Sequence, residues 1–350
     1  MNIYLIVVVA TLLIQFIPAK TERAQIWKIV LTFLPLFLFG VLRVDFGYDY
    51  DSYEDAYYSY KSYGTDQFGH SEIGYQWLNI LCPSFRFLIV IQSLLVCIAY
   101  AVFFYRYIPT EKRILALFMF FLSGQYTVFF MFSGIRNAIA ISILILAIPL
   151  VENRKLISYI LLSALASMFH TSALIVFPIV FLLGSKSDMM NREFYFWIIV
   201  MILLTVIPLD YYFGSFSLMI NLYFDRYTTY LTQMKEFGMD RTLLILTSTS
   251  LLSLGLLIFA RNSSEEKVRL LVRLSLIGLY ANYLGSINMR ITNYMQFFVI
   301  IGWTFLIYNK DIKWRYLYAC LVFLYLGYAF FYVFMGSPTF IYDKYISVFD

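Results

Sequence analysis

The sequence predicts an all-α polytopic membrane protein of about 12 transmembrane helices, and three observations carry that expectation. Of 350 residues, 61% are hydrophobic and only 13% charged, with a mean hydropathy of +0.76. A soluble domain of this length has nowhere to bury so much apolar surface. The apolar residues also fall into runs of roughly 17–25, long enough to span a hydrocarbon core of about 30 Å. Finally, Phe (35) and Tyr (31) are abundant enough to furnish aromatic belts at both interfaces.

Composition excludes several classes. The formal charge of +5 is too small and too dispersed for a nucleic-acid partner. Cys82, Cys97 and Cys320 have neither C-x-x-C nor metal-ligand spacing, so no disulfide and no metal site are expected. No nucleotide-binding glycine pattern, soluble domain or internal repeat is present, so residues 1–350 read as a single integral membrane domain without a cofactor.

Taken in order, the first run, 1–19, lacks a basic leader and has Ile17 where a cleavage site wants a small residue. Its positive charge follows the apolar stretch, so it reads as a retained span with its N-terminus outside. Further spans are expected near 26–42, 85–104, 114–133, 136–151, 194–209, 242–260, 270–287, 291–308 and 316–335. The segment 156–183 would be about 42 Å long as one helix. As two short helices it would turn at His170-Thr171-Ser172. Charge decides between them. With two helices, the six segments placed on the cytoplasmic side carry 16 Lys+Arg and 8 Asp+Glu, and the outer segments 9 and 13. With one helix that bias largely disappears, so the positive-inside rule favours two.

The long connections, 43–84 and 210–241, then lie outside. Tyr53, Tyr57 and Tyr60 share one helical face in the first, and "FSLMINLYFDRYTTYL" is amphipathic in the second. Both are expected to carry helices lying in the interface plane.

Arg136 is the one charge in the 38 residues from Ile114 to Val151. In this topology it opens an inward-running helix just after Ser133-Gly134. His170 and Arg290 stand at the entrances of two more, with Thr171 and Ser172 as N-cap candidates. A cation beside the positive end of a helix dipole is unfavourable, so the arrangement calls for an anion. One of the loop carboxylates (Asp45, Asp49, Asp51, Glu54, Asp55, Glu72) could supply it as a plain ion pair. A phosphate or pyrophosphate held by arginines and helix ends is the other reading. Arg43 ends an outward-running helix, where an interfacial anchor and a ligand contact are equally consistent. The tyrosines from Tyr48 onward, including Tyr50 and Tyr53, read as interfacial belt and as a platform for stacking sugars.

"RVDFGYDYDSY" (43–53), "SEIGYQWLN" (71–79), "FSGIRNAIAISI" (132–143) and "SMFHTSALIVFP" (167–178) together resemble the EpsG family, Wzy-like polymerases of exopolysaccharide, capsule and O-antigen. "NMRITNYMQFF" (288–298) is similar but less specific. The resemblance covers roughly residues 30 to 300. It implies a membrane glycosyltransferase, with a GT-C-like architecture, in a bacterial inner membrane and with its active face outward. The substrate implied is an undecaprenyl-pyrophosphate-linked oligosaccharide, the growing chain being moved onto a newly flipped unit. A chain-length regulator and a flippase of the same pathway, with membrane lipids, are the partners implied.

On that reading Arg136, Arg290 and Arg43 are candidates for the pyrophosphate clamp, since the departing group gathers negative charge. Glu72, Asp45, Asp49 and His170 are candidates to take the proton of the attacking hydroxyl. Tyr48, Tyr50 and Tyr53 are the sugar contacts. An O-antigen ligase would use the same donor with another acceptor. A flippase for lipid-linked oligosaccharide is the third reading, disfavoured because the charges gather at one face.

Overall fold

The computed structural model describes every residue except 1–2, 48, 65–71, 124–129, 184–190, 207–238, 263–265, 282–287, 337–345 and 348–350. Tyr48 and nearly all of the outer loop 210–241 therefore lie outside the described residues. What is described is mostly helical and falls into two compact units, Met1–Phe181 with Leu326–Asp350, and Leu182–Tyr325.

The first unit begins with α1 (Ile3–Ile14) and α2 (Glu22–Leu42). At 12 residues α1 is shorter than the expected span, and its last turn tightens before Pro18. The turn after it is tied down from α2. Lys28 Nζ donates to the Gln15 carbonyl at 2.6 Å, and Gln15 Nε2 donates to Thr32 Oγ1 at 2.6 Å. Thr21 caps α2 by accepting from the Ala24 N–H. Beyond α2 come β1 (Arg43–Val44), α3 (Tyr50–Tyr63) and α4 (Ile73–Leu81). Then follow α5 (Phe85–Tyr107), α6 (Arg113–Leu122), a short α7 (Phe130–Ser133) and α8 (Ile135–Glu152). α2 packs on α5, and α5 packs on α8. α8 is apolar all round and buried along most of its length, which makes it the core helix of the unit.

The segment 156–183 is two helices, α9 (Leu156–Ser167) and α10 (Ala173–Leu183). The Phe169 and His170 N–H groups both donate to the Ala166 carbonyl and close α9, and the His170 carbonyl accepts from Ala173 to open α10. The Tyr159 hydroxyl donates to the Phe177 carbonyl at 2.8 Å and holds the two together as a hairpin.

Among the described residues, α2, α5 and α8 are long and apolar enough to cross a membrane by themselves. One pairing constrains the rest. β1 lies antiparallel to β2 (Ile346–Ser347), with Arg43 opposite Ser347. In a multi-pass protein, residues 44 and 346 then share a membrane face, which requires an even number of crossings between them.

The second unit holds helices Asn191–Val206, Met239–Asn262, Glu266–Ala281 and Asn288–Tyr308, and the first half of Arg315–Gly336. Its tightest pair is Glu266–Ala281 against Asn288–Tyr308, brought close by small residues at the contact. Ser275 Oγ bonds across that contact to the Phe298 carbonyl at 2.6 Å. Arg273, in the helix Glu266–Ala281, is 4% exposed.

Candidate functional site

The Ser133-Gly134 step separates α7 from α8. Gly134 is the N-cap residue of α8 and has no side chain with which to cap it. The first-turn N–H groups, which have no partner within the helix, therefore point out of the N-terminus, and Arg136 sits among them. Its partner is Glu72, the residue that opens α4. Arg136 Nη1 donates to Glu72 Oε2 in an ion pair whose side chains are 22% and 10% exposed.

Two tyrosines frame that pair. Tyr53 on α3 and Tyr75 on α4 are both buried and meet edge to face with ring centroids 5.5 Å apart. The Arg136 guanidinium carbon lies 5.9 Å from each ring centroid, within cation–π range. Burial raises the Tyr53 hydroxyl above its usual range, against the opposing pull of Arg136. The Arg136 Nε is buried and has no hydrogen-bond partner among the described residues, and the same holds for Oδ1 of Asn137.

α4 is fixed by its own backbone. The Gly74 N–H donates to the Met168 carbonyl at 2.7 Å, so the helix that carries Glu72 docks on the turn that carries His170. His170 is 9% exposed, and its Nδ1 faces the Ser172 hydroxyl and accepts from the Ser172 N–H. An accepting Nδ1 places the proton of the neutral ring on Nε2. Ser172, which directly precedes α10, thus also orients the imidazole.

The loop 45–49 packs against the same helix break. Gly47 has a φ of +112° and approaches Ser133 so closely that a Cβ would come within 3.1 Å of its Cα. The Asp49 N–H donates to Ser133 Oγ at 3.4 Å. Asp45 adopts the left-handed region at φ 48°, and both aspartates are exposed. Partial burial and the neighbouring Asp45 carboxylate hold the Asp51 carboxyl above its usual range. Burial, then Asp51, Asp55 and Asp45, do the same to Glu54. Tyr50 is buried against Phe85, with centroids 5.3 Å apart.

The structure thus brings Glu72, Arg136, Tyr53 and the His170 turn together, with Asp45 and Asp49 on the loop against Ser133. Arg43 is placed differently. It is completely buried, donating to the Gly40 carbonyl at 2.9 Å and to Gln92 Oε1 at 3.1 Å, and it lies 5.1 Å from the Phe132 ring centroid. A cation on the last-turn carbonyls suits the helix dipole and fits an anchoring role. Arg43→Leu would leave Gln92 Oε1 and a buried carbonyl without this donor, at about 1–3 kcal/mol each. A lower unfolding temperature in detergent is the expected result. Wild-type stability with activity lost would instead make Arg43 a ligand. Arg290 lies in the first turn of Asn288–Tyr308, in the second unit.

Sequence reasoning did not single out Tyr75, Gln92 or Arg86, whose Nη1 donates to the Arg43 carbonyl. Tyr75 carries a readable signal, since it follows Glu72 in the Glu-x-Gly-Tyr step. The others are uncharged, or are basic at a helix start with no spacing to mark them.

The family model described as "EpsG family" matches residues 1–347. No curated protein and no solved structure matches the chain.

Proposed function

Because the chain belongs to the EpsG family, a Wzy-like polymerase family, we propose that it polymerises undecaprenyl-pyrophosphate-linked repeat units on the outer leaflet of a bacterial inner membrane. It does so with about 12 crossings. The observation that carries this reading is Arg136, held at the uncapped N-terminus of α8 beside a carboxylate. A polysaccharide polymerase of this kind acts on lipid-linked oligosaccharides. It needs a preorganised positive site for a departing pyrophosphate and a base for an incoming hydroxyl.

In the proposed step, the terminal hydroxyl oxygen of the new unit bonds to the anomeric carbon of the growing chain. The anomeric carbon–oxygen bond to pyrophosphate breaks, and its electron pair leaves with the lipid pyrophosphate. Arg136 and the α8 N–H groups receive that charge. The hydroxyl proton passes to Glu72, the carboxylate closest to the clamp, while Asp45 and Asp49 orient the acceptor. His170, with its Nε2–H, serves as a donor to the pyrophosphate. Tyr53 and Tyr50 are buried, which suits walls of the site better than a stacking platform.

The glycan profile of a strain lacking the gene tests this reading. Loss of long polymer with single units persisting on the outer leaflet is expected. Long lipid-linked polymer accumulating untransferred would indicate a ligase, and single units facing the cytoplasm a flippase.

A further inference from the structure

Glu72 has two duties under the proposed function that it cannot perform at once. While its Oε2 accepts from Arg136 it is not available to an acceptor hydroxyl, and Arg136 is not fully available to a pyrophosphate. We infer that Glu72 is a displaceable counter-ion. The lipid pyrophosphate takes over Arg136, and the carboxylate so released becomes the base, which makes donor binding the condition for acceptor activation. The inference rests on the proposed function and adds an order of events to it.

Four features of the site support the exchange. The guanidinium offers five donors in a planar fork, and Glu72 engages Nη1, while Nε is buried with no partner among the described residues. The Tyr53 and Tyr75 rings at 5.9 Å hold the guanidinium whichever anion it faces. A pyrophosphate carries more charge than a carboxylate and presents several oxygens to the fork and to the α8 N–H groups, so it competes successfully for the same cation. Finally, among the described residues no other side-chain partner retains Glu72 once it is released. It stands at the N-cap position of α4 but makes no side-chain capping bond. Its backbone stays in place, because Gly74 holds α4 on the Met168 carbonyl.

The consequence is a gate made of one ion pair. With no donor bound, Arg136 and Glu72 neutralise each other, and a desolvated cation beside a helix N-terminus is kept compensated. With donor bound, the base is exposed beside the anomeric carbon that needs it.

The test is binding of undecaprenyl pyrophosphate to the purified full-length protein in nanodiscs, alongside polymer synthesis. Removing an internal competitor should tighten binding, so Glu72→Gln is expected to bind this lipid about 10-fold more tightly than wild type while losing polymer synthesis. In an Arg136→Gln background the same substitution should have no effect on binding. Glu72→Asp, which keeps the charge on a shorter arm, serves should the amide fail to fold, and should bind more tightly than wild type for the same reason. Equal or weaker binding by Glu72→Gln, with wild-type binding still dependent on Arg136, overturns the exchange and leaves the proposed clamp standing. Wild-type binding indifferent to Arg136→Gln overturns the clamp itself.

Discussion

Arg136→Gln, present in the membrane at wild-type abundance, is expected to lower polymer synthesis by about 100-fold or more, the usual effect of removing a preorganised charge-stabilising donor. Arg136→Lys should recover little. A lysine ammonium is a point charge without the planar fork that can face Glu72 and a phosphate together. It also loses the flat contact between Tyr53 and Tyr75. The structure predicts a second effect in the same variant. Removing the cation strands Glu72, which is 10% exposed, as an uncompensated carboxylate. Stability should therefore fall with activity in Arg136→Gln, and Arg136→Gln/Glu72→Gln should regain stability but not activity. Thermal unfolding and polymer length, measured on the same four proteins, separate the two. Full-length polymer from either single Arg136 variant would sink the assignment.

How far this site could be read in advance depended on whether the signal was local. Arg136 stood out because a lone charge in a long apolar run is costly enough to need an explanation. The break before it was legible in Ser133-Gly134, and the turn at His170 in the polar triplet that divides residues 156–183. The partner of Arg136 was not legible. Six of the carboxylates in the loop 43–84 were candidates with no local signal to choose among them, and the choice of Glu72 is made by α4 docking on the Met168 carbonyl, a tertiary contact between residues far apart. Arg43 shows the same limit. Its helix-end position was clear, but its complete burial depends on Gln92, Phe132 and the Gly40 carbonyl converging from three helical segments. The run 114–133 read as one span because it is uniformly apolar. Its described parts are a ten-residue helix and a four-residue one, on either side of residues 124–129.

Gly74→Ala is expected to be nearly as damaging as the loss of the charge, although Gly74 bears no functional group. A Cβ at this position would stand 2.8 Å from the Met168 carbonyl oxygen and 2.9 Å from the Met168 Cβ. These are backbone and near-backbone atoms, which cannot rotate away as a side-chain tip would. Relief requires α4 to lift off the turn, stretching the 2.7 Å bond from the Gly74 N–H. Glu72 lies two residues before this contact and moves with it, and displacements near 1 Å at a catalytic group cost on the order of 100-fold. The strain itself is about 1–3 kcal/mol, which a well-packed bundle survives. Polymer synthesis is therefore expected to drop at least tenfold in a protein that still inserts and purifies. Gly327→Ala, which has open space around its Cβ, should be neutral by the same assays. If Gly74→Ala makes full-length polymer at the wild-type rate, the docking of α4 on the His170 turn is not what sets the position of Glu72. The carboxylate would then have to be held by Arg136 itself, and releasing it to a donor would leave no anchored base for the acceptor.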